Sequence, residues 1–281
     1  MRSALAQTVP AALDLGWHPH LDVWVVVAAL GVGYWYAVKR IGPRLVPASE
    51  PIVTRWQLIS WYAGVALLWI VSDWPFHDIA ERSLFIFHMS EHLVIALVVP
   101  PLLLLGTPRW LGNLLLGEGR RLRVIKALSR PLFAFFLFQT VLVTVHIPLV
   151  VEAMVTSALW HLITHVALFS AAVITWMPVL SPVPEIPRLR PFVAIGYLFA
   201  HSLVPTVPAS FLTFTTSPIY EIYTAAPRLW GIDVVTDQAT AGLIMKLGGG
   251  LVLWTAIALL WFRWYRRERE WDDLERQLRT S

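Results

Sequence analysis

Two pairs of histidines are spaced so that they could hold a metal ion from within apolar segments of the chain. His88 and His92 are four residues apart, and His161 and His165 repeat that spacing. Residues at i and i+4 share one face of a helix, so two such helices could bring four imidazoles to one point. Neutral imidazole is a good ligand for copper, zinc and iron. Because ionisable side chains are costly inside a bilayer, the pairs indicate a functional site.

Further residues are candidates for the same site. Met89 directly follows His88, and Met245 lies in the last apolar segment. Their thioethers would favour Cu(I). His146 ends another apolar segment, and His201 lies in the middle of a fourth. For a lone buried histidine such as His201, a hydrogen bond between helices is the more common role.

Two charged residues and two polar residues complete the set of candidates. Glu91 and Lys246 carry opposite charges at membrane depth. Buried charges are normally paired, so we expect these two side chains to form an ion pair within the bundle. Asp237 and Gln238 precede the last apolar segment. They could cap a helix, or hydrogen-bond to the far side of a metal-binding imidazole.

The composition indicates a membrane protein. The chain has 281 residues, of which 57% are hydrophobic and 14% are charged, whereas a typical soluble domain has about 25% charged residues. It contains no cysteine, which excludes disulfides and thiolate metal sites. Any bound metal would therefore be held by histidine, methionine, carboxylate or backbone groups.

Seven apolar segments approach the length of about 20 residues that a helix needs to cross the hydrocarbon core of a bilayer. The predicted fold is all-α, a polytopic membrane protein with seven transmembrane helices. Residues 1–20 would form an external segment, 21–262 the membrane domain and 263–281 a charged cytoplasmic tail. The predicted spans are approximately 21–38, 55–72, 83–105, 131–150, 153–177, 191–213 and 238–262.

The distribution of basic residues predicts the orientation. Cytoplasmic loops of membrane proteins carry an excess of lysine and arginine. Here that excess lies after the first, third and fifth predicted spans and in the tail, which places the N-terminus outside and the C-terminus in the cytoplasm. It also places the histidines outside or in the outer half to middle of the membrane. The basic residues concerned are Lys39, Arg40, Arg44, Arg55, Arg109, Arg120, Arg121, Arg123, Lys126, Arg130, Arg188, Arg190, Arg263, Arg266, Arg267, Arg269, Arg276 and Arg279.

These motifs resemble those of the seven-span CtaG-type cytochrome c oxidase assembly factors. The resemblance runs from about residue 24 to residue 250. Its strongest part is an HMxxH motif followed by PPLLxLGxP. The chain departs from the family pattern at two positions. Glu91 stands where we expect a neutral residue, and Lys246 stands where we expect an aromatic one. The matching residues are His88, Met89, His92, Pro100, Pro101, Leu102, Leu103, Leu105, Gly106, Pro108, His146, Pro148, His161, His165, Trp176, Pro178, Asp237, Gln238, Ala241, Gly242 and Met245.

The resemblance implies a bacterial plasma-membrane protein that handles copper for the maturation of a haem–copper oxidase, and not an enzyme. Copper would be held by the two histidine pairs, together with His146 and Met89 or Met245. The implied partners are the lipid bilayer, an oxidase subunit and a periplasmic copper donor, with no nucleic acid. Imidazoles must be deprotonated to bind metal, so binding should weaken below about pH 6.5.

Other functions fit parts of the pattern. Histidines on facing helices also ligate haem, although one histidine per helix would then suffice. A copper transporter would use the same ligands, but the predicted cytoplasmic half has no matching set. A lysine in the last of seven spans could form a Schiff base with a retinal-type chromophore, which we consider the weakest alternative.

Overall fold

The computed structural model describes residue 17 and residues 19–280, and within these residues the chain is helical with no β-strand. The predicted all-α fold is confirmed. The external segment predicted at 1–20 lies almost entirely outside the described residues. The helices are α1 Leu21–Tyr36, α2 Gly42–Leu45, α3 Arg55–Ser72, α4 Phe76–Arg82, α5 Phe85–Leu93, α6 Val99–Gly106, α7 Arg109–Leu116, α8 Gly119–Leu128, α9 Pro131–Val145, α10 Pro148–Thr156, α11 Ala158–Leu180, α12 Pro191–Leu203, α13 Thr206–Phe214, α14 Val234–Leu243 and α15 Gly249–Thr280.

Five helical segments in the described part of the chain are long and apolar enough to cross a membrane. A sixth is added if α8 and α9, which meet at a bend of 74°, count as one span. The five are Leu21–Leu45, Phe85–Gly106, Ala158–Leu180, Pro191–Phe214 and Val234–Arg279. The predicted second span forms as α3, but polar residues such as Arg55 and Gln57 lower its hydropathy. A multi-pass membrane protein is supported, while seven spans and their orientation stay a prediction.

Three π-helical turns interrupt the long helices, at Ala37–Ile41, Val94–Val98 and Ile244–Gly248. The second joins α5 to α6, whose first turn contains Pro100 and Pro101. Proline has no N–H to donate, so the regular α-helical ladder cannot continue through this point. π-helical turns are often found beside functional sites, and here one follows the His88–His92 pair directly.

The helices pack closely where glycine allows it. At Gly106, an added Cβ would lie 2.6 Å from the backbone nitrogen of Trp61, which brings α3 and α6 together. The Tyr34 hydroxyl donates to the Gly106 carbonyl at 2.7 Å and ties α1 to the same point. At Gly248, an added Cβ would lie 2.9 Å from Leu93 Cδ1, so the third π-helical turn packs against α5. These contacts pack the Phe85–Gly106 segment, which carries the first histidine pair, against α1, α3 and the third π-helical turn.

Candidate functional site

The two histidine pairs face each other. His92 on α5 and His165 on α11 approach with their Nε2 atoms 3.2 Å apart. The rings of His88 and His92 have centroids 4.2 Å apart, and those of His161 and His165 have centroids 4.1 Å apart. The imidazoles therefore form one continuous row across two helices, whereas the spacing had suggested four rings around one point. Metal binding by this row stays a prediction.

A third helix adds two residues that the sequence analysis did not select. The short helix α4 places His77 with its ring centroid 5.1 Å from that of His161. Glu81, one turn further along α4, receives a contact from His161 Nδ1 at 2.8 Å, and its Oε1 lies 3.6 Å from His77 Nε2. Potential ligand atoms of His77, Glu81 and His161 all lie within 4.8 Å of one another. The signal available in the sequence was the i, i+4 spacing of His77 and Glu81 on one helical face.

The row thus has two parts with different chemistry. We call His88, His92 and His165 the imidazole cluster, and His77, Glu81 and His161 the mixed cluster. In the imidazole cluster, His88 and His92 are buried, at 3% and 6% exposed, and His165 is partly buried. The side chains of Glu81 and His161 are 27% and 18% exposed, and both line a surface pocket. Glu81 and His161 therefore give the mixed cluster an opening at the protein surface, while His77 is buried at 7% exposed.

Carboxylates control the charge at the mixed cluster. Burial disfavours the protonated form of His77, but attraction to Glu91 and Glu81 outweighs it and raises the pKa of His77 to about 9. Burial would also raise the pKa of Glu81, but the hydrogen bond from His161 and the charge of His77 lower that pKa below its usual value. At neutral pH the two side chains attract each other as opposite charges, and a metal ion that bound His77 would displace this proton.

Glu91 does not pair with Lys246, so this prediction was wrong. Glu91 is 1% exposed, and both of its carboxylate oxygens lie 3.0 Å from His77 Nδ1. Lys246 is exposed and donates to the Thr206 hydroxyl at 2.7 Å. The physical reason is that α4 packs against α5 and places His77 beside Glu91. A helical projection of α5 alone does not include residues of α4.

The remaining candidates lie beside the imidazole cluster. An apolar cavity between the helices is lined by Met89, His92, His146, His201 and Met245, with Lys246 also contributing. The Nδ1 atom of His146 lies 2.6 Å from the carbonyl oxygen of its own helix neighbour Leu142 and donates to it. Its buried Nε2 has no hydrogen-bond partner among the described residues, so a lone pair is available at the cavity.

His201 has the structural role expected of a lone buried histidine. Its Nδ1 atom lies 2.9 Å from the side-chain amide nitrogen of Gln139, and this contact links α12 to α9. The described residues offer no hydrogen-bond partner to its Nε2. The structure therefore places His201 at the cavity wall and gives it an interhelical hydrogen bond.

Asp237 and Gln238 hold backbone groups and do not contact an imidazole. Asp237 is fully buried and accepts hydrogen bonds from the backbone N–H groups of Phe85 and Ile86, each at 2.9 Å, and from Arg228 at 2.8 Å. It thus caps α5 from another helix, whereas α14 is capped by Asp233. Capping of the last span by Asp237 was therefore wrong, and among the described residues Asp237 makes no contact with an imidazole either.

Gln238 likewise hydrogen-bonds to backbone groups, in the segment before α14. Its side-chain oxygen accepts from the backbone N–H groups of Ile219 and Tyr220, and its amide donates to the Tyr220 carbonyl at 3.0 Å. The Tyr220 hydroxyl in turn donates to the carbonyl of His146 at 3.0 Å. Asp237 and Gln238 therefore position the helix ends that carry His88 and His146.

Comparison with known proteins gives one clear result. No curated protein and no solved structure shows significant similarity to the chain. The family described as cytochrome c oxidase caa3 assembly factor (Caa3_CtaG) matches residues 32–267, which include every helix that contributes to the two clusters. The chain therefore belongs to the family of cytochrome c oxidase caa3 assembly factors.

Proposed function

We propose that this protein is a non-catalytic membrane assembly factor that binds copper and supports metallation of a haem–copper cytochrome oxidase. The observation that carries this proposal is the 3.2 Å approach of His92 Nε2 and His165 Nε2 between two helices. The family supplies the link to oxidase assembly. The copper ion is cargo in this proposal, taken up and passed on unchanged.

The geometry of the imidazole cluster suits a small ion. Two nitrogens bound at about 2.0–2.1 Å to one tetrahedral ion are separated by about 3.3 Å, close to the 3.2 Å between His92 and His165. His88 is adjacent through its ring contact with His92. Met89 and Met245 supply the thioethers that favour Cu(I), and His146 offers its free Nε2 across the cavity.

The same distance disfavours the haem alternative. In bis-histidine ligation the two imidazoles lie on opposite faces of the haem, so the macrocycle separates them. His92 and His165 are in direct contact, which leaves no space for a porphyrin between them. An absorption spectrum of the purified protein without a Soret band is the expected result.

The transporter alternative would need further ligands along a path across the membrane. Every histidine that the structure describes lies between His20 and His201, and none lies in the basic loops or the C-terminal part of α15. We therefore propose that copper is received and released on one side. From the charge distribution, that side is the external face of the bacterial plasma membrane, with an oxidase subunit as recipient and a periplasmic protein as donor.

The direct test is copper loading of the purified protein in detergent micelles, with the ion counted by elemental analysis. The His88→Ala/His92→Ala double variant should lose at least one bound copper per chain. His201→Gln is the matched control, because it changes a buried histidine that lies outside both clusters. A full copper complement in the double variant would exclude the imidazole cluster as the site.

The role in assembly needs a cellular test. Membranes from cells that carry the double variant should contain less copper in their haem–copper oxidase and show lower oxidase activity than membranes with the His201→Gln variant. Equal amounts of both variant proteins in the membrane must first be verified by immunoblot. Normal oxidase metallation with the double variant would contradict the proposed function.

A further inference from the structure

We propose that His77, Glu81 and His161 form a second, separate binding site for a divalent first-row transition-metal ion. The mixed cluster brings two imidazoles and one carboxylate together, with potential ligand atoms within 4.8 Å of one another. Two imidazoles and a carboxylate are a common ligand set for divalent ions such as zinc, cobalt and copper(II). This differs from the imidazole and thioether groups around His92.

Glu91 provides an independent reason to regard the mixed cluster as a metal site. Histidine ligands usually hydrogen-bond through their other ring nitrogen to a carboxylate, which fixes the ring orientation. Glu91 makes this contact with His77 Nδ1 through both oxygens at 3.0 Å and is 1% exposed. The contact leaves His77 Nε2 on the side of Glu81, 3.6 Å from its Oε1. A deeply buried carboxylate is thus used to aim an imidazole at a second carboxylate.

An ion can reach the mixed cluster from solvent. Glu81 and His161 line a surface pocket that is also bordered by Arg82, Thr156 and Tyr223. No such exposure exists at His88 or His92, which are 3% and 6% exposed. Glu81 and His161 are therefore more accessible from the protein surface than His88 and His92.

The position of His161 suggests what the second site is for. Its ring lies 4.1 Å from that of His165, which in turn contacts His92. An ion held by the mixed cluster is thus one ligand exchange away from the imidazole cluster, since neutral imidazole also binds divalent copper. The role as an access site rests on the proposed function, whereas the binding of a divalent ion by the mixed cluster does not.

The test uses Co²⁺, whose visible absorption bands report its ligands. It is carried out in the His88→Ala/His92→Ala background in detergent micelles, so that the imidazole cluster cannot contribute. We expect one Co²⁺ per chain, and Glu81→Gln in that background should lower the affinity at least 100-fold. The matched control is Glu152→Gln, an exposed glutamate on α10, which should leave the titration unchanged.

Failure of this inference is separate from failure of the proposed function. Absence of Co²⁺ bands, or equal affinity in the Glu81→Gln and Glu152→Gln proteins, would show that the mixed cluster is only a network of ion pairs. His77→Gln serves as a second variant if Glu81→Gln fails to fold, as judged by helical circular dichroism. If the protein with His88 and His92 unchanged binds no copper, the proposed function is contradicted. The Co²⁺ result for the mixed cluster would still stand.

Discussion

The mixed cluster and the imidazole cluster are neighbours in one row of rings, yet their surroundings differ. In the mixed cluster, His77 and His161 each contact a carboxylate, from Glu91 and Glu81 respectively. In the imidazole cluster, no carboxylate contacts the rings within the described part of the chain, and Met89 and Met245 lie nearby instead. Histidine is thus found next to carboxylates in one cluster and next to other imidazoles and thioethers in the other.

This difference shows how one residue type can serve two kinds of ion. Carboxylates favour harder, divalent ions and hold protons on adjacent histidines, whereas thioethers and neutral imidazoles favour softer ions. The boundary lies between His161 and His165, which are on the same helix and one turn apart. Helix α4 causes the difference between the two clusters, because it supplies His77 and Glu81 to the mixed cluster.

The largest effect should follow from Asp237→Ala. The substitution leaves the Phe85 and Ile86 N–H groups and the Arg228 guanidinium without their buried partner. Removing one member of a buried charged pair costs about 3–5 kcal/mol. We expect a lower unfolding temperature in detergent and weaker copper binding by His88 and His92 at temperatures where the protein is folded.

The matched control for this prediction is Asp233→Ala. Asp233 also caps a helix, but it is exposed and contacts the start of α14 only. Its loss should change stability far less and leave copper binding intact. Equal effects of the two substitutions would mean that the start of α5 does not depend on Asp237.

A smaller effect, confined to one cluster, is expected for Glu91→Gln. The amide can still contact His77 but no longer supplies a charge, so Co²⁺ affinity at the mixed cluster should fall about tenfold. Copper binding by the imidazole cluster should stay the same. Parallel Co²⁺ and copper titrations measure both quantities.

Lys246→Gln is the companion variant. Because Lys246 contacts Thr206 and not Glu91, a double-mutant cycle of the two substitutions should give a coupling energy near zero in thermal unfolding. A substantial coupling energy would restore the ion pair predicted from the sequence. A loss of copper from the Glu91→Gln protein equal to its loss of Co²⁺ would remove the distinction between the clusters.

The smallest effect is expected for Met89→Leu. This swap conserves volume and should cost less than about 1.5 kcal/mol in stability. If its thioether binds the ion, Cu(I) affinity falls severalfold while Cu²⁺ affinity is unchanged. Met154→Leu is the control, because Met154 is equally buried but does not line the cavity beside His92. The same Cu(I) affinity in both variants would limit Met89 to packing.

The sequence predicted those features that depend on one helix at a time. The i, i+4 spacing placed His88 with His92 and His161 with His165, and apolar length identified five of the spans that the structure supports. That the two pairs face each other could not be predicted, because the spacing within each helix does not show which helices are neighbours.

Features that depend on contacts between distant segments could not be predicted. The residues next to Glu91 in the sequence do not show that α4 packs against α5 and places His77 beside it. The residues next to Asp237 do not show that its carboxylate accepts hydrogen bonds from Phe85 and Ile86. In each case the side chain found a partner across the fold that satisfied it better than the one suggested by charge or by local capping. Buried polar groups select partners by proximity in space, and that proximity is set by packing.

The π-helical turn at Val94–Val98 sets the rotation of α5 relative to α6 about the helix axis. A π-helical turn holds one residue more than an α-helical turn, and each residue advances a helix by about 100°. Deleting one residue from this turn would rotate His88 and His92 by about that angle relative to Gly106. The direction in which the two histidines point is therefore set by a single additional residue that follows His92 in the chain.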